Sequence, residues 1–157
     1  MALIKLVTRV NAPRGRVFDL ARSIDAHLVS TEGTGERAVA GRTSGLMELG
    51  DRVTWEATHF KVKQRLTIKI TQMVYPDYFA DEMVRGAFAF IKHRHQFSDD
   101  QETTIIKDEF EFGAPLGLLG RIAEILFLTS YMKRFLLARN DKLKQLAESD
   151  QWMEFVD

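Results

Sequence analysis

The sequence predicts an α+β fold in which a curved antiparallel sheet of about seven strands wraps around one long C-terminal helix. From about residue 35 to residue 112, β-rich segments follow one another with turn residues between them, which is typical of an antiparallel meander. From about Leu116 to Ala147, apolar residues instead recur at helical spacing. A curved sheet packed on one helix would leave a cavity between the two.

The N-terminal segment predicts one strand followed by two short helices. The stretch "ALIKLVTRV" mixes aliphatic and β-branched residues, so a strand is expected although the alternation is imperfect. After it, Asn11 can cap a helix and Pro13 suits a first helical turn. Ser23 is a candidate cap for the second short helix.

Six more strands are predicted before the long helix. Turn signals such as "YPDY" and "SDDQE" separate several of them. The segments are "ERAVAGRTSG", "RVTWEATHF", "VKQRLTIKITQMV", "YFADEMV", "AFAFIKHRHQF" and "ETTIIKDEFEF".

The chain length predicts a single domain. A chain of 157 residues can bury one substantial core, and no repeat or interdomain linker interrupts it. We expect one domain over residues 1–148 and a short tail over residues 149–157. Trp152 and Phe155 of this tail could dock onto the domain or fray.

Composition excludes several classes of protein. Lys plus Arg and Asp plus Glu both number 22, which argues against a general nucleic-acid-binding protein. The absence of cysteine excludes a disulfide framework and Cys-ligated zinc, and it fits a cytoplasmic location. The longest apolar stretch, "IAEILFL", is far too short to span a bilayer, so stable membrane insertion is not expected.

Two of the four histidines lie on one predicted strand. Because side chains alternate across a strand, His93 and His95 share a face with Ile91 and Phe97. Lys92 and Arg94 lie on the opposite face, where they can reach water. The face that carries the histidines is therefore expected to be the concave one.

Neighbouring strands repeat this pattern of polar groups on an apolar face. His59 shares its face with Trp55, and Asp108 shares its face with Phe110. Gln64 likewise precedes inward-facing aliphatic residues. For residues 78–84, two parities stay open, and both include a carboxylate. The two sets are Phe79, Asp81 and Met83, or Ala80, Glu82 and Val84.

Burying a polar group without a partner costs about 1–3 kcal/mol, so these groups must bond to each other, to water or to a ligand. One interpretation is a hydrogen-bond network that holds the sheet. A second is recognition of a small molecule, and a third is acid–base catalysis by His59, His93, His95 or Asp108. A fourth is a metal bound by the His-x-His pair. No nucleophile motif and no complete set of metal ligands is present, so we expect neither metal nor cofactor.

Three segments resemble a bacterial subfamily of the START-like, or SRPBCC, superfamily, and the resemblance covers nearly all of residues 1–148. They are "GLMELGDRVTWEATHF", "YFADEMVRGAFAFIKHRHQF" and "DEFEFGAPLGLLGRIAEILFLTSYMKRFLLARN". The superfamily includes plant pollen-allergen-like carriers, lipid-transfer domains and aromatic polyketide cyclases. The resemblance implies a helix-grip fold with a hydrophobic ligand held between sheet and helix, and only some members are enzymes.

We therefore expect binding or transport of a small hydrophobic or amphipathic molecule, such as a lipid, in an internal cavity. Whether the protein is an enzyme stays open, with a cyclase-, dehydratase- or hydrolase-like activity as the alternative. A second alternative is a protein-interaction module with a filled core, and surplus apolar surface would indicate a homodimer. The expected ligand-binding residues are Trp55, His59, Gln64, Leu66, Ile68, Met83, Ile91, His93, His95, Asp108, Phe110, Leu126 and Met132.

Overall fold

The computed structural model describes residues 1–156, and Asp157, the last residue of the predicted tail, lies outside the described residues. The strands are β1 (Ala2–Val10), β2 (Arg37–Gly41), β3 (Arg52–His59), β4 (Val62–Val74), β5 (Tyr78–Arg85), β6 (Phe90–Asp100) and β7 (Thr103–Gly113). The α-helices are α1 (Arg14–Ala21), α2 (Ile24–Ser30), α3 (Gly117–Ala123) and α4 (Thr129–Ala147). Short 3-10 helices cover Glu32–Thr34 and Asp150–Glu154, and a π-helical turn covers Glu124–Leu128.

The seven strands form one antiparallel sheet in the order β1-β7-β6-β5-β4-β3-β2. The predicted α+β class and the predicted order of elements are confirmed. Strand β1 pairs with β7, so the first and last strands of the chain are neighbours. The register between β4 and β5 shifts at two places, and such bulges bend a sheet. The sheet therefore curves around the long helix.

Helices α1 and α2 close one end of the sheet. The Ser23 hydroxyl accepts a hydrogen bond from the Ala26 backbone N–H at 3.1 Å, which confirms the predicted cap of α2. Asn11 does not cap α1: Pro13 occupies that position, and no side chain caps the helix. Phe18 and Ile24 are almost fully buried and join the larger of the two core clusters.

The long C-terminal helix runs from Gly117 to Ala147, close to the predicted bounds, with the π-helical turn between α3 and α4. Leu136 of α4 packs into the second core cluster, which also contains residues of β1, β6 and β7. The tail docks onto the domain, with Trp152 and Phe155 packed against the larger core cluster. The Arg16 guanidinium also lies 4.1 Å from the centre of the Trp152 ring.

Helix α3 and the π-helical turn expose a group of large apolar side chains. These are Leu118, Leu119, Ile122, Ile125, Leu126 and Phe127. Within residues 1–156, no helix is both long enough and apolar enough to cross a membrane.

Candidate functional site

A cavity of about 340 Å³ lies between the concave face of the sheet and α4. Its volume falls within the usual range of small-molecule sites, about 300–1,000 Å³. Strands β3 to β7 form one side, and residues Leu128–Arg139 of the long helix form the other. Residues of α1, α2 and the following loops, including Met47, close one end.

Most of the residues that the sequence predicts for the site line this cavity. They are Trp55, His59, Gln64, Leu66, Ile68, Ile91, His93, His95, Phe110 and Met132. Alternation along the strands explains this placement, because each predicted inward face is the face that the curved sheet turns toward α4.

Three predicted residues do not line the cavity. Met83 is half-buried and packs against the second core cluster. Asp108 lies behind the histidines, where only 2% of its surface is exposed. Leu126 is 61% exposed, because it belongs to the outward side of the π-helical turn. Our placement of Leu126 on the inward face of the helix was wrong.

Pairing between β5, β6 and β7 brings four ionisable side chains together. His95 lies opposite Asp108 on β7, and His93 lies opposite Asp81 on β5. Asp81 is buried together with Phe79, which settles the open parity of β5 in favour of the set that contains both residues. Because neighbouring inward side chains on paired strands are close, the register alone builds this cluster.

The cluster is connected by short hydrogen bonds. The Asp108 Oδ1 atom lies 3.1 Å from His93 Nε2 and 2.9 Å from His95 Nδ1. The Asp108 Oδ2 atom accepts a hydrogen bond from the Asn140 side chain at 2.7 Å. On its other side, His95 Nε2 lies 3.2 Å from Asp81 Oδ2. Asp108 therefore ties two strands and the long helix into one network.

These contacts determine the protonation of His95. Burial alone would lower the pKa of His95, but the hydrogen bonds to Asp108 and Asp81 outweigh it and raise the pKa. Burial also disfavours the charged form of Asp108, yet the bonds to His93 and His95 hold the pKa of that carboxyl well below its usual range. With a carboxylate at each ring nitrogen, His95 is an imidazolium that donates to both.

His93 has the opposite character. Burial and the positive charge of His95, whose ring centre lies 3.8 Å away, lower the pKa of His93 to about 4. At neutral pH its Nε2–H donates to Asp108, so Nδ1 keeps a free lone pair. His93 lines the cavity. It can therefore accept a hydrogen bond from a group inside the cavity.

A second polar contact joins the sheet to the helix near the β3–β4 turn. His59 Nδ1 lies 2.5 Å from the Tyr131 hydroxyl, and the exposed ring of Phe60 packs against Tyr131 at 4.6 Å between centres. Burial lowers the pKa of His59, so its ring is neutral and its Nδ1 accepts a hydrogen bond from the Tyr131 hydroxyl. Both partners line the cavity, and their bond links β3 to α4.

Several cavity residues were not predicted from the sequence. His27 of α2 lines the cavity, stacks on Trp55 at 4.2 Å and bonds to Glu36 at 2.7 Å. Tyr131 and Arg139 of α4 line it as well. Arg139 is spaced seven residues from Met132, which is the helical repeat that marks the inward face. That spacing was the available signal for Arg139.

The cluster also has the composition of a metal site, because ligand atoms of Asp81, His93 and His95 lie within 4.8 Å of one another. A metal needs an unprotonated ring nitrogen from each histidine. Both nitrogens of His95 already donate to carboxylates. The arrangement therefore suits a hydrogen-bond network better than a metal centre.

Comparison with known proteins relates the chain to others through structure alone. No family model matches the sequence, and no curated protein matches it. Solved structures match over nearly the whole chain, and among them is the protein TTHA0849 of Thermus thermophilus. It is 16% identical with a TM-score of 0.74, and the match covers 92% of this chain and 95% of that one.

Two further structures show the same fold. Major latex-like protein 151 of Panax ginseng is 16% identical with a TM-score of 0.67, over 94% of this chain and 98% of that one. A START superfamily protein of Mycobacterium smegmatis is 10% identical with a TM-score of 0.68, and the match covers 92% of this chain and 98% of that one. The chain thus has the helix-grip fold of START-like proteins, as its sequence segments predict.

Proposed function

We propose that the protein binds a small, largely hydrophobic molecule in the cavity between the sheet and α4. The observation that carries this proposal is an internal space of about 340 Å³ whose wall is mainly aliphatic and aromatic. The helix-grip fold is typically a fold that binds hydrophobic ligands. Burial of an apolar ligand surface contributes about 25 cal/mol per Å², so such a cavity supplies affinity without a charged partner.

The apolar and the polar side chains of the cavity wall have different roles in this proposal. Apolar side chains such as Leu66, Ile68 and Phe110 contact the body of the ligand. Polar groups such as the lone pair of His93 orient a polar end of it. The alternative of an interaction module with a filled core is less well supported, because the space between sheet and helix is open.

Acid–base catalysis is a second candidate, and one observation favours it. Asp108 orients His93 through Nε2, and Nδ1 has no partner among the described residues, which is the arrangement of a general base and its orienting carboxylate. The pKa of His93 of about 4 opposes this role, because a general base works best with a pKa near the working pH. We therefore place ligand binding first.

Titration with the uncharged fluorophore N-phenyl-α-naphthylamine tests the proposal. We expect saturable one-to-one binding to the wild-type protein. Ile68→Trp places a larger ring in the cavity and should weaken binding at least about tenfold, equivalent to about 1.4 kcal/mol. Lys69→Trp is the matched control, because residue 69 lies on the opposite face of the same strand and does not line the cavity. Equal binding by both variants would contradict the proposal.

A cytoplasmic location and a homodimer remain predictions. The first depends on the cysteine-free sequence, which fits a reducing compartment. The second depends on the exposed apolar side chains of α3 and the π-helical turn.

A further inference from the structure

Arg139 is a buried cation whose donors have no partner among the described residues. Only 7% of its surface is exposed, and it lies on the face of α4 that lines the cavity. Within residues 1–156, its guanidinium makes no hydrogen bond and no ion pair. The surrounding acids are already engaged: Asp108 bonds to both histidines and Asn140, and Asp81 bonds to His95.

The unpaired nitrogens of Arg139 face open space. No buried side-chain nitrogen or oxygen of the described residues is both sealed off and without a partner. Since Arg139 has no partner there, its nitrogens must touch accessible space, and the space that Arg139 lines is the cavity. The five N–H groups of a guanidinium therefore remain available to whatever occupies it.

Charge balance accounts for a cation here, because two carboxylates face one imidazolium, but it does not require the guanidinium to lack a hydrogen-bond acceptor. The His95 imidazolium already lies between Asp81 and Asp108 and donates to both. Arg139 acts on Asp81 and His95 only through its electric field. What the guanidinium lacks is an acceptor from the protein, so its donors bond either to water in the cavity or to an acceptor on a bound molecule.

We infer that the cavity ligand is an amphipathic carboxylic acid whose carboxylate binds Arg139 and whose apolar body lies along Leu66 and Ile68. A carboxylate presents two oxygens that match the guanidinium fork, and charge-assisted pairs of this kind are about twice as strong as neutral hydrogen bonds. This inference rests on the proposed function, since it names the chemical class of the molecule that the cavity binds.

Two competitors that differ only at their polar end test the inference. Bound N-phenyl-α-naphthylamine is displaced at pH 7.5 by decanoate or by decanol, in wild-type protein, Arg139→Met and Arg134→Met. Arg134 lies exposed on the same helix and does not line the cavity, so its variant is the matched control. We expect decanoate to bind wild type and Arg134→Met at least about tenfold more tightly than decanol, and this preference to vanish in Arg139→Met.

The outcomes separate this inference from the proposed function. Failure of the fluorophore to bind wild type would overturn both. If the fluorophore binds but decanoate and decanol displace it equally, the proposed function stands and the carboxylate inference is overturned. Water would then be the partner of Arg139. If Arg139→Met keeps the preference for decanoate, the inference that Arg139 binds the carboxylate is overturned. The wild-type comparison needs no variant, so it decides whether the cavity prefers a carboxylate even if Arg139→Met does not fold.

Discussion

Replacing Asp108 with alanine should strongly destabilise the fold. Its carboxylate accepts from His93 at 3.1 Å, from His95 at 2.9 Å and from Asn140 at 2.7 Å, and it is 2% exposed. Each buried donor left without an acceptor costs about 1–3 kcal/mol, and breaking a buried ion pair costs about 3–5 kcal/mol. Because the three donors share one acceptor and can partly relax, we expect a loss of about 3–5 kcal/mol.

Urea unfolding followed by far-UV circular dichroism measures this loss. Glu109→Ala is the matched control, because Glu109 is the next residue of β7, is exposed and pairs with Lys5 at 3.7 Å. Such a surface pair contributes about 0–1 kcal/mol. Asp108→Asn keeps an acceptor but loses the charge, so its loss should lie between the two. If Asp108→Ala costs no more than Glu109→Ala, the cluster does not hold the sheet to the helix as described.

Three further outcomes follow from the same contacts. The histidine pair should give a maximum in the free energy of unfolding near pH 6.5, the ordinary histidine value. Below pH 6.5, His93 is protonated in the unfolded chain but stays neutral in the folded protein until its pKa of about 4 is reached. The free energy of unfolding therefore falls as the pH is lowered, by at most about 1.4 kcal/mol per pH unit. Above pH 6.5, the stabilisation from His95, whose pKa is raised, is lost as the pH rises through the folded pKa; a steady rise in stability from pH 5 to pH 8 in urea unfolding would contradict this. Tyr131→Phe removes the bond to His59 and should cost about 0.5–1.5 kcal/mol in the same assay, whereas no loss would show that water replaces it. Native mass spectrometry of the protein purified from its own host should show a bound small molecule that denaturing extraction releases; an empty cavity at high ligand supply would count against the carrier function.

Much of the fold was predictable because its signals are local. Alternation along β3, β4, β6 and β7 identifies the inward faces, and turn residues separate the strands. The cap of α2 could be read from Ser23 alone. The π-helical turn could not be predicted in this way, because it shifts the helical phase by local backbone geometry that apolar spacing does not reveal. The misplacement of Leu126 does not depend on that shift, because Leu119 and Ile122, which precede the turn at helical spacing from Leu126, are exposed as well.

The candidate site was predictable in membership but not in chemistry. Alternation indicated that His93, His95 and Asp108 share the inward side of the sheet. It could not indicate that Asp108 lies behind the histidines, because this depends on the register between β6 and β7. Whether Asp81 faces inward stayed open for the same reason, because the answer depends on the pairing of β5 with β6.

The two histidines show why register matters for function. They are two residues apart and share one aspartate, yet His95 is charged and His93 is neutral. The difference arises because Asp81 bonds to the second nitrogen of His95, while no described residue bonds to the second nitrogen of His93, whose side chain lines the cavity. The charged ring therefore serves the fold, and the neutral ring remains available to a ligand. Arg139, which lines the same cavity, supplies donors instead, so the wall carries both an acceptor and a cation.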